Sequence, residues 1–77
     1  MTGNGNTQAI SNLEYDLLTA LHNKSEAVQV YDKYIQDAQS TGSQPCVDLF
    51  QKLQQQDMQQ AQEIRQHLQQ VMQSGKM

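Results

Sequence analysis

From Ile10 to Ala38 a stripe of residues recurs at steps of four and three, with no glycine or proline to interrupt it. Its members are Ile10, Glu14, Leu17, Leu21, Lys24, Val28, Tyr31, Ile35 and Ala38. That spacing returns to one face of an α-helix, whereas a strand would alternate at every second residue. Leu13, Leu18, Ala20, Ala27 and Tyr34 flank the stripe and widen the apolar arc to roughly half the helix circumference. Ser11-Asn12-Leu13-Glu14 matches the S-x-x-E capping box, and Thr7 offers a start one turn earlier.

The run "STGSQP" breaks the pattern. Gly42 suits a left-handed helix end, Ser43 suits the cap of a new helix, and Pro45 is tolerated in a first turn. A second stripe follows: Cys46, Phe50, Leu53, Asp57, Gln60, Ile64, Leu68 and Val71, unbroken until Ser74-Gly75. The expected domain is therefore an all-α antiparallel two-helix hairpin over residues 10–73, with helices at about 10–40 and 45–73. Residues 1–9 and 74–77, rich in glycine and polar residues, read as flexible ends.

One partner helix cannot cover an arc of half a circumference. The apolar arc thus predicts a homo-oligomer, with a dimer forming a four-helix bundle as the simplest closed solution. The expected interface residues are Leu17, Leu21, Val28, Tyr31, Ile35, Phe50, Leu53, Ile64 and Leu68.

Composition narrows the function classes. A net charge of -3 and five scattered basic residues argue against a nucleic-acid partner, which would want a basic face. No apolar run reaches the length of a membrane span, and "MTGNGNTQ" lacks the basic and apolar regions of a leader, so a cytoplasmic chain without a membrane is expected. Cys46 is the sole cysteine, which fits a reducing compartment. Eleven of the sixteen glutamines fall between Gln51 and Gln73, where apolar residues interrupt them at helical spacing. They read as the uncharged solvent face of a helix rather than a disordered tract.

Asp57 and Gln60 sit on the second stripe where apolar residues would be expected. If positions near 40 and 45 are opposite, paired positions add to about 85, and Lys24 lies level with Gln60 and Ala61, within a turn of Asp57. Such a polar level can set register and orientation in a bundle at some expense in stability. Lys24 can also send its ammonium to the rim on its long stem.

"SEAVQVYDKYIQDAQ" together with "LFQKLQQQDMQQAQEIRQHL" resembles the paired helices of the ferritin-like superfamily, in particular rubrerythrin-type proteins and two-helix encapsulated ferritins. The likeness covers roughly residues 13 to 72. Those proteins carry a Glu seven residues before a Tyr on the first helix and Glu-x-x-His-Ala on the second. Lys24, seven residues before Tyr31, falls on the first Glu; Asp57 on the second Glu; Gln60 on the His; Ala61 on the Ala. The resemblance implies a four-helix ferritin-like bundle descended from a di-iron site. A di-iron centre needs anionic oxygens and imidazoles, and this chain offers an ammonium, a shortened carboxylate and an amide. Lys24, Asp57 and Gln60 are accordingly expected to be vestigial ligand positions, with no metal and no cofactor.

The remaining candidates are weaker. Glu26 and His22 fall far from the stripe, His67 lies at its edge, and Glu63 is the other carboxylate near the polar level. Glu14 is expected level with His67 and Val71. Tyr31 is expected to face inward with Asp57 or water as its hydroxyl partner, and Cys46 to pack as a small hydrophobe near the turn. No base accompanies Cys46, and no phosphate loop or catalytic triad is recognisable. The expected function is a non-catalytic oligomerisation or protein-interaction module; the alternative is an iron-binding ferritin-like protein with ferroxidase-type chemistry at the oligomer interface.

Overall fold

The computed structural model describes residues 9–74, and the expected flexible ends at 1–8 and 75–77 lie outside the described residues. Two helices account for the fold: α1, Asn12–Thr41, and α2, Gln44–Ser74. Ser74, expected in the C-terminal tail, belongs to α2.

Local chemistry explains each end. The Glu14 N–H donates to Ser11 Oγ at 3.1 Å, and the Ser11 N–H donates to Glu14 Oε1 at 2.9 Å. This reciprocal capping box satisfies two helix-end donors and starts α1 at Asn12 rather than at Ile10. At the other end Gly42 takes the left-handed conformation, with φ 78°. The Gly42 N–H donates to the Gln39 carbonyl and the Ser43 N–H to the Ala38 carbonyl, both at 3.0 Å. This pair of bonds is the Schellman arrangement, which closes the last turn of α1 and redirects the chain. The Ser43 carbonyl then accepts the Val47 N–H at 3.0 Å, the first bond of α2. Pro45, in that first turn, withholds a donor that would have no helical acceptor.

The helices pack side by side as a single layer of 55 × 24 × 11 Å. The radius of gyration is 17.0 Å, against about 11.5 Å for a compact globule of this length. Lys24 pairs with Asp57, Gln54 reaches Val28, and Tyr31 meets Phe50. Facing positions therefore add to 81 or 82, one helical turn away from the register of about 85 drawn from the turn. The link between helices is shorter than that reading assumed: only Gly42 and Ser43 separate them.

Continuing the same register gives a ladder of alternating levels: Glu14 with Leu68, Leu17 with Ile64, Leu21 with Ala61, Lys24 with Asp57, Val28 with Gln54, Tyr31 with Phe50, Ile35 with Val47. On α1 the stripe is the one the sequence shows. On α2 three members differ. Cys46 is exposed and Val47 is buried in its place. Gln60 is exposed while Ala61 takes the seam. Leu53 is half-buried beside the seam, where Gln54 lies. The true seam, Val47, Phe50, Gln54, Asp57, Ala61, Ile64, Leu68, Val71, keeps a strict three-four step, the knobs-into-holes spacing of a paired helix.

Burial is thin. Among the described residues Ala38, Val47, Leu68 and Val71 are buried, and they lie towards the two ends of the ladder. Leu17, Leu21, Val28, Tyr31, Ile35, Phe50, Leu53 and Ile64 are only half-buried. Two helices shield each other along one line, so side chains to either side of that line stay wet. Among the described residues no helix is long and apolar enough to cross a membrane.

Candidate functional site

Helical geometry gives the layer two broad sides. On one, which we term the aromatic side, a shallow groove across the seam is lined by Tyr34, Ala38, Thr41, Cys46 and Phe50. A second groove on this side is lined by Leu17, Lys24, Gln60, Ile64 and His67. On the opposite side the seam is bordered by Ser25, Val28, Met58, Ala61 and Gln62.

Both sides carry exposed apolar side chains, with Leu18, Met58 and Met72 on the side away from the rings, and the aromatic side is the more regular. Every seventh residue of α1 on the aromatic side is apolar: Leu13, Ala20, Ala27 and Tyr34. Leu53 and Cys46 continue that surface on α2. Leu13 is 44% exposed and Tyr34 42% exposed, high values for side chains of this size. The Tyr34 ring sits edge-on to Tyr31 at 5.5 Å and tilted over Phe50 at 5.6 Å, with Tyr31 and Phe50 at 6.3 Å. Three rings thus form a cluster reaching from the seam to the surface. Tyr31 faces inward as expected, but it lies level with Phe50, two turns from Asp57, so its packing is aromatic.

The charged level lies near the middle of the hairpin. Lys24 Nζ stands 3.4 Å from Asp57 Oδ1, and the two side chains are 34% and 18% exposed. This long ion pair links α1 to α2, and the ammonium occupies the space in front of the carboxylate. Gln60 lies one turn further along on the aromatic side and is exposed. A di-iron centre, which the family resemblance implies, does not fit this donor set: a cation is already placed against the carboxylate, and the neighbouring amide supplies a weak neutral oxygen. Among the described residues no three His, Cys, Asp or Glu side chains converge in a metal-binding group.

Other expected site residues are dispersed. His22 and Glu26 form an exposed pair at 3.5 Å on the outer surface of α1. His67 Nδ1 lies 2.8 Å from the Glu63 carbonyl on its own helix. Glu14 is engaged in the cap of α1, and it faces the level of Leu68 instead of His67 and Val71.

Gln54 was not singled out from the sequence. Its amide donates to the Val28 carbonyl at 2.8 Å and to Asp32 Oδ1 at 2.9 Å, tying the helices together on the side opposite the aromatic cluster. The signal for it was the seven-residue spacing from Val47 through Gln54 to Ala61 and Leu68. No protein-family model, no curated protein and no solved structure matches this chain.

Proposed function

We propose that this chain is a non-catalytic helical hairpin, ferritin-like in ancestry, whose function is to self-associate through its aromatic side into a four-helix bundle. One observation carries the reading: the aromatic side is apolar at every seventh residue of α1, joins the ring cluster of Tyr31, Tyr34 and Phe50 and remains uncovered, while the opposite side sets Leu18 and Met58 among Ser25, Gln29 and Gln62. Water against Leu13, Tyr34 and Leu53 is costly, at about 25 cal/mol for each Å² of apolar surface left wet. A second hairpin laid on that side would remove it. Lys24 and Asp57 would then form a polar level inside the bundle, and Gln60 would turn inward beside them, in the places where the resemblance puts ligands. Their charges neutralise each other without a metal.

Native mass spectrometry tests this, run before and after anaerobic ferrous iron and air exposure. The expected result is a discrete oligomer without a metal adduct. A monomer at micromolar concentration refutes self-association, and stoichiometric iron refutes the non-catalytic reading.

A further inference from the structure

We propose that the hairpin is an inner layer, covered by further copies of the chain on both of its broad sides, so that the assembly uses two separate interfaces and holds an even number of copies, four or more. This rests on the self-association proposed above and adds a second contact to it.

Surface area requires the second contact. The hairpin alone exposes 5826 Å². A compact body built from two chains of 8.7 kDa exposes about 3,900 Å² per chain. Helices of 30 and 31 residues run about 45 Å at 1.5 Å per residue. Across the layer's 24 Å width one side can therefore give up about 1,000 Å², enough for the roughly 800 Å² per partner of a standard stable interface. A single face-to-face contact leaves about 4,800 Å² on each chain, well above the compact value. Covering both sides leaves about 3,800 Å², approaching the roughly 3,300 Å² per chain of a compact four-chain body.

The apolar residues are placed for two contacts rather than one. On the aromatic side they concentrate in the turn half, where Val30 and Tyr34 line a groove beside Tyr31 and where Phe50 and Leu53 lie across the seam. On the opposite side they concentrate in the open half, where Leu18, Met58 and Met72 are exposed. The turn half of that side holds the polar Gln54–Asp32 bond instead. The two patches thus lie on opposite sides and towards opposite ends, and a copy seated on one leaves the other free.

The occupant of the second patch is another copy of this chain. Its border is Ser25, Gln29 and Gln62, with Arg65 further out. An amide both donates and accepts, so such a border can meet itself about a two-fold axis without stranding a polar group. A partner of opposite charge would want a charged border. Two self-complementary contacts on each copy generate closed, even-numbered assemblies, of which four copies are the smallest.

Native mass spectrometry of the full chain and two variants tests this, with circular dichroism to confirm that each variant is helical. Met58→Glu puts a charge in the second patch, and Ala27→Glu puts one on the aromatic side. The expected result is an even-numbered oligomer of four or more copies for the parent and a dimer for each variant. A parent dimer overturns the second interface and leaves self-association standing; a parent monomer overturns self-association itself. An odd-numbered parent refutes the two-fold contacts, and a Met58→Glu oligomer as large as the parent refutes the opposite side as an interface. Peroxide oxidation of the unsubstituted chain, read by peptide mass spectrometry, serves if a variant fails to fold. Met58 is 42% exposed in the hairpin alone, which slows its oxidation only about twofold against the urea-unfolded chain. Slowing of about tenfold or more is expected under a second copy, and the twofold value of an uncovered side would overturn the proposal.

Discussion

The charged level makes an asymmetric prediction about its two members. Asp57 is 18% exposed and carries its carboxylate on one methylene, so it has little reach towards further water when Lys24 is removed. Lys24 is 34% exposed on a four-carbon stem, and its ammonium can swing to the rim when Asp57 is removed. Breaking a buried pair costs about 3–5 kcal/mol, and breaking an exposed one about 0.2–1 kcal/mol. A pair of intermediate exposure places Lys24→Met near a loss of about 2 kcal/mol. Asp57→Leu leaves a cation that resolvates and adds part of the roughly 1.5–3 kcal/mol of a buried leucine, so its net change is within about 1 kcal/mol of zero. At about 4–8 °C per kcal/mol for a domain of this size, Lys24→Met should melt about 8–16 °C below the parent. Asp57→Leu should stay within about 8 °C, and the double variant should melt at or above the parent. Circular dichroism melts at 222 nm check this, at matched protein concentration because association shifts Tm. If Asp57→Leu loses as much as Lys24→Met, the burial asymmetry is not what governs the pair.

Four single substitutions and one triple variant extend these predictions. Gly42→Ala meets open space but must keep φ 78°, so a loss of about 1 kcal/mol is expected from backbone strain alone, read by denaturant titration. Ser11→Ala should cost about 1 kcal/mol and speed hydrogen exchange at the Glu14 amide, leaving the middle of α1 unchanged; uniform acceleration would contradict a local capping role. Val71, 1% exposed, and Met72, 64% exposed, are neighbours in sequence, yet Val71→Ala should cost about 2 kcal/mol and Met72→Ala less than about 0.5 kcal/mol. The triple variant K24E/D57E/Q60H restores the ferritin-like ligand pattern, and ferrous iron uptake by native mass spectrometry is the expected outcome; a folded, iron-free triple variant would count against the resemblance.

The two helices, the capping box at Ser11 and the turn at Gly42 were legible in the sequence, since each depends on residues within four or five positions of one another. Ser11 with Glu14, Gly42 with Gln39, and the unbroken runs on either side act through the backbone at short range. The meeting of Lys24 with Asp57 was also within reach, because both interrupt an apolar stripe near the same height. The register was harder. A shift of one turn sets one apolar level against another along most of the ladder, so periodicity alone barely discriminates. The Schellman closure at Gly42 and the immediate start of α2 after Ser43 settle it.

On α2 the sequence could not separate two overlapping stripes. Phe50, Asp57, Ile64 and Val71 belong to both. Joined with Cys46, Leu53 and Gln60, the first three border the surface of the aromatic side; joined with Val47, Gln54, Ala61 and Leu68, all four make the seam against α1. By itself the sequence determined that the chain forms two long helices turned back at Gly42, because helix formation and termination are local. Only the tertiary structure decided which of the two stripes α1 covers and which it leaves in water, because that choice depends on the rotation of one whole helix against another.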